Sequence, residues 1–258
     1  MRMRQWWPAF VLCAGWTITS AAAISPVATG VSANAHYDIE VREEWITLAD
    51  GVRLSATLYA PKARHRGEKF PAVLEYLPYR KDESKNHAPV HRYFAEHGFV
   101  SAHVDIRGTG RSEGKLIARE YTDVEQADAE SVIAWLAHQP WSNGNVGMFG
   151  ISWGGFNSLQ MAMRNPPGLK AIIAIDATEQ LFREDVHFLD GMMHVDEYEL
   201  NVDMLESMTR APDFPTDEAS LAARFDTPPW FIAYKQQPRN GAFWDKPVQP
   251  LSAIRIPV

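Results

Sequence analysis

Between Phe70 and Ile175 the chain alternates short apolar runs with segments of helical period, and that order leaves few folds open. Phe70 to Tyr76, Phe99 to Val104, Val146 to Phe149 and Leu169 to Ile175 are apolar runs bounded by turn residues, as buried strands are. Between them lie three predicted helices. Val90 to Glu96 is closed by Gly98. Tyr121 to His138 carries Val124, Ala127, Val132, Trp135 and Leu136 near helical spacing. Phe156 to Arg164 is stopped by Pro166-Pro167. Strands that alternate with helices form a mostly parallel sheet covered on both faces, so the expected class is α/β. Upstream, Tyr37 to Leu48 and Val52 to Tyr59 flank Asp50-Gly51, a tight-turn pair, and read as a hairpin.

Gly150-Ile151-Ser152-Trp153-Gly154 lies where the strand Val146 to Phe149 meets the next helix. The pattern G-x-S-x-G is weak evidence alone, but in a strand–turn–helix context it is the nucleophile elbow of serine hydrolases. The turn is so sharp that only small neighbours fit. Gly150 and Gly154 meet that need, and Gly155 lets the helix pack closely. The Ser152 hydroxyl would then sit at a helix N-terminus, where backbone N–H groups favour developing negative charge.

Four blocks extend this reading: Leu77-Pro78-Tyr79-Arg80-Lys81; Asp105-Ile106-Arg107-Gly108-Thr109-Gly110-Arg111-Ser112-Glu113-Gly114; Gln139-Pro140-Trp141-Ser142-Asn143-Gly144; and Val146 through Gly155. In order and spacing they resemble the CocE/NonD family of hydrolases, relatives of Xaa-Pro dipeptidyl-peptidases and α-amino-acid ester hydrolases. The resemblance runs from about Tyr37 to the end. It implies an α/β-hydrolase core with a helical cap and, further on, a jelly-roll domain. It implies catalysis by Ser152 on an ester or amide (an acyl ester, an α-amino ester or an Xaa-Pro peptide) through an acyl-enzyme, with no metal or organic cofactor. By position, the Tyr79 hydroxyl and the Trp153 backbone N–H would form the oxyanion hole. Tyr79 follows a predicted strand, where a second donor is expected; the alternative is a tyrosine packed on Pro78. The loop Asp105 to Gly114 lacks the lysine-serine ending of a phosphate-binding loop. It is expected to be structural, held by ion pairs of Asp105 and Arg107.

A serine nucleophile needs a base and the base an orienting acid, in the chain order Ser, Asp or Glu, His. After Ser152 the only histidines are His187 and His194. The resemblance puts the family's acid and histidine beyond Val258, with Ile254 to Val258 opening the preceding core strand. The chain is therefore expected to be C-terminally truncated, lacking the later core strands. A local substitute would pair Asp176 with His187. The other reading is a catalytically incomplete fragment that at most binds acyl ligands. His65, His87, His91, His97, His103 and His138 precede the elbow and read as structural or solvated.

Beyond Glu179 the sequence turns helical, acidic and rich in methionine and aromatics, as a cap inserted above the sheet would be. Its acids (Glu184, Asp185, Asp190, Asp196, Glu197, Glu199, Asp203, Glu206) read first as a solvated face and second as a receptor for a substrate ammonium group. Met192, Met193, Met204, Met208, Phe182 and Phe188 read as cap core or as an acyl pocket.

Composition sets limits on partners. The net charge of -7, without basic runs, speaks against nucleic acid. The single cysteine, Cys13, allows no intrachain disulfide. Arg2 and Arg4, then the apolar run Trp6 to Ile18, then Ala21-Ala22-Ala23 form an export signal cut after Ala23, or after Ala35. An uncut anchor is the alternative. The expected organisation is a signal peptide (1–23), a leader (24–36), the first part of the hydrolase core (37–178), a cap segment (179–245) and a return to the core (246–258). The expected protein is exported, periplasmic or secreted. It has no stable membrane insertion after cleavage, takes a small-molecule or short-peptide acyl substrate, and leaves homo-oligomerisation open.

Overall fold

The protein is described by a computed structural model. It describes residues 36–83, 85–184, 188–189, 191–193, 209–215, 217–244 and 250–258. The expected signal peptide and leader therefore lie outside the described residues, apart from His36, as do His187, His194 and most of the cap acids. Among the described residues no helix is long and apolar enough to cross a membrane.

Six strands form one sheet in the order β1-β2-β4-β3-β5-β6. β1 (Ile39–Thr47) and β2 (Arg53–Pro61) are the antiparallel hairpin that Asp50-Gly51 predicted. Gly51 takes φ +86°, which the turn requires and which only glycine adopts at no cost. β2 also pairs antiparallel with β4 (Val100–Asp105). From β4 onward every pairing is parallel, through β3 (Phe70–Leu77), β5 (Ser142–Ile151) and β6 (Leu169–Ile175). The α/β reading, with a mostly parallel sheet, is thus correct.

Three helices cover the sheet. α1 (Ala88–Glu96) packs on β4 and β2; α2 (Asp123–Ala137) on β5 and β3; α3 (Trp153–Arg164) on β6, β5 and β3. Neighbours on a strand point to opposite faces, and β3 shows which helix lies where. Glu75 meets His91 of α1, whereas the Tyr76 hydroxyl donates to the carbonyl of Glu125 in α2. α1 therefore lies across the sheet from α2 and α3. Leu54, Leu58, Leu74, Val104 and Val146 are fully buried between the layers. Each contributes roughly 1.5–3 kcal/mol of hydrophobic free energy.

α3 starts three residues earlier than its apolar periodicity predicts, because Gly154 and Gly155 carry no side chain to register it. Beyond β6 the described segments are α4 (Leu181–Glu184), the two-residue strands β7 (Phe188–Leu189) and β8 (Met192–Met193), α5 (Glu218–Phe225) and α6 (Trp230–Lys235). Their aromatics join the core: Phe188, Trp230, Tyr234 and Trp244 are buried with it, and Phe182 stacks on Phe188 at 4.7 Å. Met192 points to solvent. Ile254 to Val258 carry no strand. One backbone bond, from Ile172 N–H to the Pro257 carbonyl at 3.0 Å, sets this segment beside β6.

Candidate active site

β5 ends at Ile151 and α3 begins at Trp153, so Ser152 alone makes the turn. Its backbone sits at φ 54°, ψ −120°. A residue with a Cβ avoids that region, and holding it there costs about 1–3 kcal/mol. Two hydrogen bonds impose it: Ser152 N–H donates to the Ile175 carbonyl at 2.9 Å, and Phe156 N–H to the Ser152 carbonyl at 2.8 Å. The glycines allow the close crossing. A Cβ on Gly150 would lie 2.4 Å from the Gly154 carbonyl carbon, and one on Gly155 would lie 2.3 Å from the Ile175 carbonyl oxygen. At Gly154 the contact is milder, 3.3 Å from a methyl of Leu77.

The Ser152 side chain is half-buried and makes no capping bond to its own helix. The first amides of α3 have no acceptors within the helix and carry the positive end of its dipole. Trp153 N–H is the first of these amides, one residue on from Ser152.

Trp153 is fixed by its indole. Its ring is buried, and Nε1 donates to Glu125 Oε1 at 2.6 Å. Asn157 Nδ2 donates to the same oxygen at 2.9 Å and to the Tyr76 carbonyl at 3.2 Å, while Gln126 Nε2 donates to Asn157 Oδ1 at 2.9 Å. Glu125 is itself placed by the N-cap of α2, where its N–H donates to Thr122 Oγ1 at 3.3 Å. Tyr121 and Trp230 close around the indole at 5.1 and 5.0 Å. Sequence reasoning missed Glu125 and Asn157. Thr122-x-x-Glu125 is a capping-box pattern, the one local signal that could have marked the glutamate.

Tyr79 lies in the loop after β3. It is half-buried, with its ring edge-on to that of Trp153 at 6.5 Å and 82°. The structure therefore brings Tyr79, Ser152 and Trp153 to one corner of the sheet. Arg80, at φ 58°, turns the chain there and pairs with Asp213. Lys81 continues the anchorage: its N–H donates to Asp105 Oδ1 at 2.7 Å and its Nζ to Glu43 Oε2 at 2.7 Å.

The 105–114 loop is held differently from expectation. Among the described residues Asp105 makes no ion pair with an arginine; its carboxylate accepts the N–H groups of Lys81 and, at 3.2 Å, Arg111. Burial pushes Asp105 up to about 7, against the pull of those two amides and of the Lys81 charge. Arg107 turns away, bidentate to Asp128 at 2.7 and 2.8 Å and bonded to Asp50 at 2.7 Å. Asp105 also packs closely on Gly110, where a Cβ would lie 2.1 Å from Oδ2.

Asp176 is exposed at the end of β6, at φ 50°. His187, its suggested partner, lies outside the described residues. Among the described residues no hydrogen bond joins Ser152 to a histidine. His65 and His138 are exposed, whereas His87, His91 and His103 gather on Glu75 across the sheet from α3.

Residues 50–258 match the family model described as X-Pro dipeptidyl-peptidase (S15 family). The chain is 34% identical over 158 residues to a cocaine esterase of Rhodococcus sp. (strain MB1 Bresler), covering 58% of this chain and 26% of that protein. It is 28% identical over 226 residues to a putative Xaa-Pro dipeptidyl-peptidase of Streptomyces avermitilis, covering 72% of this chain and 32% of the relative. In structure it is similar to a CocE/NonD family hydrolase from Staphylococcus aureus, with a TM-score of 0.64 and 26% identity, covering 85% of this chain and 39% of that one. The chain thus spans about a quarter to a third of the curated relatives' length. The CocE/NonD resemblance read from the four motif blocks is correct.

Proposed function

Because the chain belongs to the X-Pro dipeptidyl-peptidase (S15) family, we propose that it carries the nucleophile and oxyanion-binding elements of a serine hydrolase that cleaves an ester or amide through an acyl-enzyme on Ser152. The observation that carries this reading is the backbone of Ser152, held at φ 54° between β5 and α3 with its hydroxyl uncommitted to the helix cap. A serine kept in a costly conformation at a helix N-terminus is poised for attack on a carbonyl carbon.

In this reading Ser152 Oγ bonds to the carbonyl carbon, the carbonyl oxygen takes the negative charge, and the leaving alcohol or amine departs with the proton taken from Ser152; water then cleaves the acyl-enzyme, releasing the acid and restoring the Ser152 hydroxyl. Trp153 N–H and the Tyr79 hydroxyl receive that oxyanion. One such donor is worth about 3 kcal/mol in the transition state. The Glu125–Trp153 bond holds the first amide of α3 in place. The base that accepts the Ser152 proton is a histidine outside the described residues. The substrate is an acyl ester, an α-amino ester or an Xaa-Pro peptide, and the protein is exported.

A fluorophosphonate probe tests the nucleophile. Ser152 should label covalently, and Ser152→Ala should not. Labelling that persists in Ser152→Ala would sink the proposal. A second reading is favoured by the absence of a hydrogen bond from Ser152 to any described histidine: the 258-residue chain alone binds acyl compounds without turning them over. Acyl-ester turnover by this chain, lost in Ser152→Ala, rules that out.

A further inference from the structure

On the α1 face of the sheet, away from Ser152, three buried side chains converge. Glu75 comes from β3, His103 from β4 and His91 from α1. One donor atom of each lies within 4.8 Å of the other two. Glu75 Oε2 is 3.0 Å from His91 Nε2 and 3.6 Å from His103 Nε2. The parallel register sets Glu75 directly beside His103. His91 and His103 stack at 4.9 Å, which brings their edges together over the carboxylate.

We propose that Glu75, His91 and His103 form a site for a divalent transition-metal ion, with zinc the best match. The donor set is the argument. Two imidazoles and one carboxylate suit zinc, which takes such ligands at about 2.0–2.2 Å in tetrahedral geometry. Ligands at that distance stand roughly 3.3 Å from one another, close to the two separations found at Glu75. The supporting contacts fit as well. His91 Nδ1 is bonded to Ser101 Oγ at 2.7 Å, so a hydroxyl fixes the ring and leaves Nε2 to face the site. His87 Nδ1 lies 3.0 Å from both oxygens of Glu75 and orients the carboxylate.

A second observation points to a ligand. His103 is buried, yet its Nε2 has no hydrogen-bond partner among the described residues and lies 3.6 Å from Glu75 Oε2. Buried polar atoms are rarely left so, and an unfilled one calls for an explanation. His87, with a side chain 22% exposed, is the member nearest solvent and marks the way in. A bound ion would tie α1 to the two central strands.

The test uses the untagged 258-residue chain, stripped with a chelator and dialysed against zinc ion alone. One equivalent should bind at micromolar free zinc, and melting temperature should rise with zinc but not with magnesium. Cobalt(II) in its place should give the intense visible bands of a tetrahedral site. His103→Gln and Glu75→Gln should each weaken zinc binding by about tenfold or more. The double variant His65→Gln/His138→Gln, altering only exposed rings, should bind as the parent does. Should the buried variants fail to fold, the cobalt spectrum and zinc stoichiometry of the parent decide. Well under one equivalent of zinc, or zinc binding unchanged in folded His103→Gln, overturns the site and leaves a carboxylate–imidazole network without an ion.

Discussion

The indole N–H of Trp153 donates to Glu125 Oε1 at 2.6 Å and so joins the first turn of α3 to the first turn of α2. The same oxygen accepts from Asn157 Nδ2 at 2.9 Å. One buried carboxylate oxygen thus ties down two side chains of the helix that follows Ser152.

Glu125→Ala leaves the buried Trp153 indole N–H without an acceptor and takes from Asn157 Nδ2 one of its two, at an expected cost of about 2–4 kcal/mol. Glu125→Gln keeps an acceptor oxygen and should lose less than half of that. Chemical denaturation measures both. Fluorophosphonate labelling of Ser152 should slow in Glu125→Ala even where the variant remains folded. Equal labelling rates in folded Glu125→Ala and parent would show that the network does not position the nucleophile.

The elbow glycines and Ser152 should respond in opposite directions. Gly150→Ala and Gly155→Ala force a methyl group against backbone 2.4 and 2.3 Å away, and backbone yields little. A loss of about 3 kcal/mol is expected for each. Gly241→Ala, with nothing within 4 Å of the added carbon, should be near neutral. Ser152→Gly relieves the positive φ and should gain about 1 kcal/mol, less the backbone entropy that glycine adds, while labelling disappears. Thermal melts of the four variants give the comparison.

Asp105 gives the pH prediction. Its folded value is raised to about 7, mainly by burial, against about 3.9 in an unfolded chain. A raised carboxyl binds its proton more tightly in the folded state. That stabilisation is complete below about pH 4 and is lost as pH rises through about 7. The total is on the order of 4 kcal/mol. The stability of the parent minus that of Asp105→Asn, which cannot ionise, should therefore fall across this window. Carbon NMR of the Asp105 carboxyl should show a midpoint near 7. A midpoint below 4 would mean that the amides of Lys81 and Arg111 outweigh burial.

The proposal that the protein is exported makes a prediction at the N-terminus. Produced with its leader in an exporting bacterium, the mature protein should begin at Ile24 if cut after Ala23, or at His36 if cut after Ala35. N-terminal sequencing distinguishes these from an uncut chain that retains Met1.

The sequence alone determined the parts that are local. Apolar period marked the four core strands, Asp50-Gly51 marked the hairpin, and the glycines around Ser152 marked a turn too tight for side chains. Each of these is a constraint within one turn or strand, so it is written in neighbouring residues. Only the tertiary structure decided which side chains meet. Glu125 looks like a helix cap until α3 lies against α2. Arg107 is a natural partner for Asp105 until the fold sets Asp128 and Asp50 around its guanidinium. His91 and His103 read as structural or solvated histidines until the register of β3 on β4, with α1 packed across both, puts them on Glu75. Ladder register and helix placement are set by the burial of the whole core, and no short stretch of sequence carries that information.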